Sequence, residues 1–282
     1  MSGNTQSVIR RWYDKLGFPE SYDGEFFRAL EEVTVPPEAA LETYDKGCKD
    51  GIKNLIYYLY FCESAAKNAR NTGIPEEVTP DTLKDIVILA EDWTQAKGKL
   101  CLFGLKWLSL HLTQRLFKLG RLQFALSSAM KDIPALGIKA GDSVIEIHIP
   151  RGGKLIWEEC ALSIARAEAF FGEHFPNCRF KAFVCFSWLL DPELKAFLPE
   201  DSNILRFAQE FTPVYSEPSD LLLSSVFRVD TKRENLASAV CTTAFAQRIK
   251  AAVLGGRRFN CVYGYIPAKG AENRLTSLPE KE

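Results

Sequence analysis

The sequence predicts an α+β protein, in which a helical amino-terminal half precedes a mixed α/β half with a central, partly parallel sheet. Apolar residues follow a helical period as far as about residue 118, and after Gly120 they alternate with polar residues, as in a half-buried strand. Residues 180–190 are then almost continuously apolar, which is typical of a strand buried on both faces. We therefore expect two domains, at residues 1–118 and 119–282.

Three helices are predicted in the amino-terminal half. Residues 51–70 contain a long apolar run at 55–62, and a helix that is apolar all round is expected to be buried centrally. The second helix begins near Pro80, since proline is favoured in the first helical turn, and runs to about Lys97. The third covers residues 99–117.

The carboxy-terminal half alternates strands and helices, with glycines at several of the connections. In chain order the predicted elements are strands at residues 121–126 and 144–149, a helix at 155–171, a strand at 180–190, a helix at 203–211, a strand at 221–229, a helix at 234–254 and a strand at 258–266.

The composition argues against several classes of function. The 282 residues include 35 basic and 36 acidic ones, and a net charge of −1 does not indicate a nucleic-acid or anionic-membrane partner. No apolar run approaches the roughly 18 residues of a membrane span, and no apolar segment follows Arg10 and Arg11, so neither a membrane protein nor a signal peptide is expected. Eight cysteines without a CxxC pair, most of them in apolar sequence, are typical of free thiols in a metal-free cytoplasmic protein.

The first candidate site lies on the strand predicted at residues 144–149. Side chains alternate across a strand, so Glu146 and His148 share one face. Two strand rises place them roughly 6.5–7 Å apart, so the strand presents a carboxylate and an imidazole together. Such a pair suits general-base catalysis. The alternative is an exposed strand face on which both groups are simply hydrated, and the sequence leaves the two interpretations evenly balanced.

A second candidate site is the loop at residues 150–154, which connects this strand to the next helix. Its two glycines allow backbone N–H groups to approach a phosphate, the helix N-terminus favours negative charge, and Arg151 and Lys154 can pair with pyrophosphate oxygens. Glu158 and Glu159 in the first helical turn also satisfy the helix dipole, so a plain connection between strand and helix is the alternative. No GxxxxGK[ST], GxGxxG or GxSxG motif is present.

Cys160 carries a competing hypothesis. A thiol that follows His148 on a helix can act as a nucleophile with a histidine base, which is a different mechanism of acyl transfer. The apolar neighbours Ala161, Leu162 and Ile164 favour a core cysteine instead.

Three segments resemble those of bacterial acyltransferases that join a helical amino-terminal domain to a GNAT-like carboxy-terminal domain. They are F-K-L-G-R-L-Q-F at 117–124, I-H-I-P-R-G-G at 147–153 and C-F-S-W-L-L at 185–190. The resemblance extends over nearly the whole chain and implies N-acyltransferase activity. It implies acetyl-CoA or another acyl-CoA as donor and a small-molecule or peptide amine as acceptor.

The resemblance also implies roles for individual residues. Acyl-CoA is expected where the strands at 144–149 and 180–188 diverge, with Glu146 or His148 accepting the proton of the attacking amine. Tyr263 and Tyr265 of the last strand are candidates to protonate the leaving thiolate, and Tyr263 is the predicted site residue; the alternative is that both are ordinary strand residues with half-buried rings. The residues implied to bind the donor are Ile149, Arg151, Gly152, Gly153, Lys154 and Asn203.

One difference from the family pattern keeps an alternative open. The pyrophosphate loop of such enzymes reads R/Q-x-x-G-x-G/A, whereas residues 151–155 read Arg-Gly-Gly-Lys-Leu. This loop and the acidic first turn favour a non-catalytic GNAT-like module that binds acyl-CoA or a protein partner, while the face with Glu146 and His148 favours catalysis. The sequence leaves the oligomeric state undetermined.

Overall fold

The computed structural model describes residues 3–34 and 50–269 of the chain. The chain divides into two compact units, Met1–Lys118 and Leu119–Glu282. Of the eight cysteines, Cys48 lies outside the described residues, and the seven within them form no disulfide. Across the described ranges, no helix is both long enough and apolar enough to cross a membrane.

The first unit is helical, as predicted. Its described elements are α1 Gly3–Leu16, α2 Asp23–Glu32, α3 Gly51–Asn71, α4 Val78–Leu83, α5 Asp85–Lys97, α6 Leu105–Leu112 and the short strand β1 Leu116–Lys118.

The helix α3 lies at the centre of this unit, as its apolar sequence predicts, and contacts α1, α2, α4 and α6. Its few buried polar groups bond to neighbouring backbone. The Tyr58 hydroxyl donates to the Leu108 carbonyl at 2.5 Å, and the Asn54 amide donates to the Leu102 carbonyl at 2.9 Å. These bonds attach the segment around α6 to the central helix.

The helix predicted from Pro80 to Lys97 is in fact two helices, which meet at Lys84. The second begins at Asp85, a buried residue whose carboxylate lies 3.0 Å from Nε2 of the buried His111. This contact holds the start of α5 against α6. No local pattern in the sequence indicates it, because the two partners are 26 residues apart.

The helix predicted at residues 99–117 forms only over α6. Gly98 and Gly104 have φ angles of +71° and +84°, a left-handed conformation that ends α5 and interrupts the chain before α6 begins. The last residues of the predicted helix form the strand β1 instead.

The second unit is mixed α/β, which confirms the predicted fold class. Its elements are β2 Gln123–Ser128, β3 Ser143–His148, α7 Trp157–His174, β4 Ala182–Ser187, α8 Asn203–Gln209, β5 Thr212–Pro218, α9 Leu221–Val226, α10 Ala244–Leu254 and β6 Asn260–Pro267. These strands run in the order β2-β3-β4-β6-β5. Only β3 and β4 are parallel; the other neighbouring pairs in this order are antiparallel.

One predicted element of this unit is wrong, and one strand of the sheet was not predicted. The strand expected at residues 221–229 is the helix α9, in which Leu222 and Leu223 are buried while Leu221 is 49% exposed. The sheet uses β5 instead, whose mostly exposed residues pair with β6. The apolar residues at 221–229 led to the wrong strand prediction. The true edge strand, β5, has few buried apolar residues and is stabilised by its pairing with β6.

The long helix predicted at 234–254 and the long strand predicted at 180–190 are also shorter than expected. Residues Arg233–Ser238 form a 3₁₀ turn, and α10 begins after Thr243, whose hydroxyl accepts a hydrogen bond from the Ala246 N–H at 3.0 Å. The strand β4 ends at Ser187, whose hydroxyl accepts from the Leu189 N–H and caps a further 3₁₀ turn.

The two faces of the sheet pack against different partners. Val144, Val184, Tyr263 and Tyr265 pack together on one face, which we call the tyrosine face. Phe183 lies on the other face, where its ring centre is 5.5 Å from that of Phe180. Phe180 in turn contacts Phe171 of α7. Side chains on the tyrosine face are therefore separated by the sheet from the helix α7.

Candidate active site

The strands β3 and β4 diverge towards their carboxyl ends. Their parallel ladder ends at the pair of Glu146 with Val184, although β3 continues to His148 and β4 to Ser187. The backbone groups of the last residues of each strand do not pair across this gap, which we call the strand cleft. The resemblance implied a divergence of these two strands.

Glu146 and His148 point to the tyrosine face at the edge of the strand cleft. Nε2 of His148 lies 3.8 Å from Oε1 of Glu146, and the two side chains are 23% and 29% exposed. The distance is too long for a hydrogen bond, but the carboxylate is close enough to stabilise a protonated imidazole. The pair is half-buried rather than fully hydrated, and this arrangement can accept and hold a proton.

One row of side chains crosses the tyrosine face at the level of the strand cleft. Gln123 of β2 pairs with His148, and Phe186 of β4 pairs with Tyr263 of β6. His148 and Phe186 each lie two residues beyond the last parallel pair. The cleft therefore divides the row, with Gln123 and His148 on one side and Phe186 and Tyr263 on the other.

Tyr263 is 1% exposed, and its hydroxyl oxygen accepts a hydrogen bond from the Met130 N–H at 3.3 Å. Burial raises the pKa of Tyr263 above its ordinary value; the negative charge of Glu146 acts in the same direction, and the bond from Met130 opposes them. The phenol is therefore neutral at physiological pH and retains a proton that it can donate. Tyr265 is also buried on this face.

The loop between β3 and α7 is shaped by two glycines with left-handed backbone. Gly152 and Gly153 have φ angles of +87° and +72°, which residues with a Cβ atom rarely adopt. The N–H groups of Gly152, Gly153 and Lys154 donate to no acceptor in the part of the chain that the structure describes. They are therefore available to an anion bound at this loop.

Arg121 stabilises the loop through hydrogen bonds to its backbone, a role that the sequence did not indicate. Its guanidinium donates to the carbonyls of Pro150 at 3.1 Å, Gly153 at 3.4 Å and Lys154 at 3.0 Å. Burial lowers the pKa of Arg121 from its ordinary value, which is high enough that the group stays charged. Three bonds to one guanidinium fix the curvature of the loop.

The two cations predicted to bind pyrophosphate differ in their surroundings. The guanidinium of Arg151 donates to the carbonyl of Ser224 in α9, which attaches the loop to that helix. Lys154 is exposed to solvent. Both flank the loop, and their role towards a phosphate stays a prediction, as does that of the half-buried Ile149 at its start.

The helix α8 packs beside the N-terminus of α7. Arg206 of α8 donates to the carboxylate of Glu158, and the rings of Trp157 and Phe207 lie 6.2 Å apart. Hydrogen bonds from its own N–H group and from Arg206 lower the pKa of Glu158, so the carboxylate in the first turn is ionised and already paired. Asn203 is the half-buried first residue of α8.

Cys160 is a core residue. It is fully buried, and burial raises the pKa of its thiol to about 11, so the thiolate needed for nucleophilic attack is scarce at neutral pH. No three His, Cys, Asp or Glu side chains within residues 3–34 and 50–269 are placed to hold a metal ion.

Comparison with known families accounts for nearly all of the chain. Residues 116–266 match the family described as GNAT-like C-terminal domain, and residues 8–114 match the N-acyltransferase N-terminal domain. The chain belongs to this family of N-acyltransferases. The predictions of an acyltransferase and of a GNAT-like carboxy-terminal fold are thereby confirmed.

Solved structures of acyltransferases are similar to this enzyme over most of its length. A crystal structure of an acyltransferase in complex with decanoyl-CoA and teicoplanin has a TM-score of 0.76 and 24% identity, and the match covers 92% of this chain and 87% of that one. A crystal structure of an acyltransferase in complex with decanoyl-CoA has a TM-score of 0.74 and 25% identity over 92% of this chain and 86% of that one. No curated protein matches the chain.

Proposed function

We propose that this acyltransferase transfers an acyl group from acyl-CoA to the amine of a small-molecule acceptor, at the strand cleft. The observation that carries the proposal is the half-buried pair of Glu146 and His148 at the edge of the cleft. The similar structures contain decanoyl-CoA, and one of them also contains teicoplanin. Those complexes support a medium-chain acyl donor and a small-molecule acceptor.

In this proposal the loop binds the pyrophosphate of the donor. The N–H groups of Gly152, Gly153 and Lys154 donate to phosphate oxygens, and the side chains of Arg151 and Lys154 add positive charge. The pantetheine arm then runs to the strand cleft past Asn203. The carbonyl of the thioester accepts a hydrogen bond from the backbone at Ile149, beyond the last parallel pair.

The reaction is a direct attack of the amine on the thioester carbonyl. His148 takes the proton released by the amine, and Glu146 stabilises the imidazolium that forms; with the roles exchanged, Glu146 is the base. The new C–N bond forms as the C–S bond breaks, and Tyr263 protonates the leaving thiolate from the other side of the cleft. Proton transfer of this kind typically contributes about 10²–10⁴ in rate.

We also propose that residues 1–118 and 119–282 are the two domains of the chain. The two family matches end at 114 and begin at 116, and the compact units divide between 118 and 119, which supports this boundary. The carboxy-terminal domain would then contain every residue assigned to catalysis and donor binding above.

The test combines decanoyl-CoA with a panel of small amines, including glycopeptides with free amino groups, and detects acylated products by mass spectrometry. Glu146→Gln and His148→Ala should lower kcat by about 10²–10⁴, the usual contribution of a general base, and leave the Kd of decanoyl-CoA unchanged. The matched control is Glu234→Gln, an exposed carboxylate of the same unit. Full activity in both site variants would contradict the proposed mechanism, whereas donor binding without turnover by any amine would favour the non-catalytic module.

A further inference from the structure

Gln123 is a buried residue with an unsatisfied amide. Its side chain is on the inward-facing surface of β2 with a residue exposure of 1%, and its Nε2 has no hydrogen-bond partner among the residues that the structure describes. A buried donor without a partner costs stability, and folded proteins rarely retain one without a reason.

Other buried polar side chains of the same unit have partners. The Ser163 hydroxyl donates to the Leu119 carbonyl and accepts from the Leu122 N–H. The carboxylate of Asp191 accepts from the backbone N–H groups of Glu193 and Asn260. The unpaired amide of Gln123 is thus not a general feature of how this unit buries polar groups.

The position of Gln123 connects it to the strand cleft. It lies directly opposite His148 in the antiparallel pair of β2 with β3. Side chains in such pairs share a face, with Cβ atoms about 4.5–5.5 Å apart. Gln123 therefore lies on the tyrosine face, in the same row as His148, Phe186 and Tyr263.

We propose that Gln123 contacts the substrate, and that its amide N–H donates to the carbonyl oxygen of the acyl group in bound acyl-CoA. An amide N–H needs an oxygen acceptor, and the thioester carbonyl is the oxygen that the proposed function brings to this row of side chains. The inference rests on the proposed function. It assigns recognition of the acyl carbonyl to a side chain of β2, in addition to the backbone of the loop.

The experiment compares three ligands by titration calorimetry: decanoyl-CoA, S-decyl-CoA, which is a thioether without the carbonyl, and free CoA. Gln123→Met has nearly the same length and volume but no N–H group. Because a neutral hydrogen bond contributes on the order of 1.4 kcal/mol, Gln123→Met should raise the Kd of decanoyl-CoA roughly tenfold. The Kd values of S-decyl-CoA and CoA should change less than about twofold, and Tm should not fall, since an unsatisfied group has been removed.

Two further variants complete the test. Gln123→Asn keeps an amide on a shorter side chain and should give an intermediate Kd for decanoyl-CoA. Ser127→Ala, on the same strand and face but opposite Val144 and away from the cleft, should leave all three Kd values unchanged. Equal weakening of all three ligands by Gln123→Met, or no weakening at all, would overturn the inference while leaving the proposed function intact. If the folded wild-type chain binds none of the three, the proposed function fails, and this inference fails with it.

Discussion

At the scale of single residues, the proposed site separates proton acceptance from proton donation. His148 and Glu146 lie on one side of the strand cleft, within 3.8 Å of each other and partly accessible to solvent. Tyr263 lies on the other side, almost completely buried, where burial keeps its phenol protonated. A substrate held between β3 and β4 would thus have a base and an acid on opposite sides.

The role of Tyr263 leads to a prediction with a matched control. Tyr263→Phe should lower kcat about 100-fold or more with little change in KM, because the leaving thiolate loses its proton donor. Tyr215→Phe removes a hydroxyl from the residue paired with Tyr263 on β5, where that hydroxyl is exposed and donates to Glu217. It should retain the kcat of the wild type in the same steady-state assay.

The pH dependence of the wild type tests the same assignment. Since the pKa of Tyr263 is raised above its ordinary value, which is about 10 for a free tyrosine, the acid stays protonated throughout the neutral and mildly alkaline range. Ionisation of this group should therefore not lower kcat between pH 7 and 9. A decline of kcat in that range that disappears in Tyr263→Phe would show that Tyr263 ionises there and would contradict its raised pKa.

The sequence predicted some residues of the site and not others, for a physical reason. Glu146 and His148 could be placed on one face from strand alternation alone, which is a local property. The contribution of Gln123 depends on which residue of β3 it pairs with, and that of Arg121 depends on the carbonyls of a loop 29 to 33 residues away. Neither strand register nor a hydrogen bond between distant residues can be predicted from a local sequence pattern.

At the scale of elements, the loop between β3 and α7 combines a left-handed backbone at two glycines with hydrogen bonds from Arg121. Its two left-handed glycines expose N–H groups, and Arg121 bonds the carbonyls. A Cβ atom at Gly152 would have no other atom within 4 Å. The free-energy cost of a side chain there would therefore come from the backbone conformation alone.

This loop gives a prediction about donor binding. Gly152→Ala should shift the loop away from its left-handed conformation, which costs an alanine about 1–2 kcal/mol, and should weaken the binding of CoA roughly tenfold. Gly172→Ala is the matched control, because Gly172 lies inside α7 with no atom within 4 Å of a built Cβ. It should stabilise the chain by about 0.5–1 kcal/mol and leave the affinity for CoA unchanged. Equal affinities in both variants would contradict the assignment of this loop to the donor.

The elements themselves were predicted unevenly. The long helix α3 and the strand β4 follow from nearly continuous apolar sequence, and β3 follows from its alternation of apolar and polar residues. The edge strand β5 was not predicted, because it is mostly exposed and depends on β6, and the helix α9 was predicted as a strand, because it is short and rich in leucine. In both segments, tertiary contacts rather than local composition determined the secondary structure.

At the scale of the whole molecule, donor binding should affect a limited set of segments. Hydrogen exchange measured by mass spectrometry, with and without decanoyl-CoA, should slow at residues 149–156 and at the ends of β3 and β4, where N–H groups would gain partners or lose access to water. The helix α10, in the same unit but outside the proposed site, should exchange at the same rate in both conditions. Protection confined to α10 would place the donor elsewhere.

The central claim is that the loop and the strand cleft bind acyl-CoA, and titration calorimetry tests it most directly. Decanoyl-CoA and free CoA should each bind the wild-type chain saturably at one site. The double variant Arg151→Ala with Lys154→Ala should weaken both ligands, and the control Arg248→Ala, an exposed cation of α10, should not. The account predicts that result; a chain that is folded by circular dichroism and binds neither ligand, or a double variant that binds both as tightly as the wild type, would contradict it.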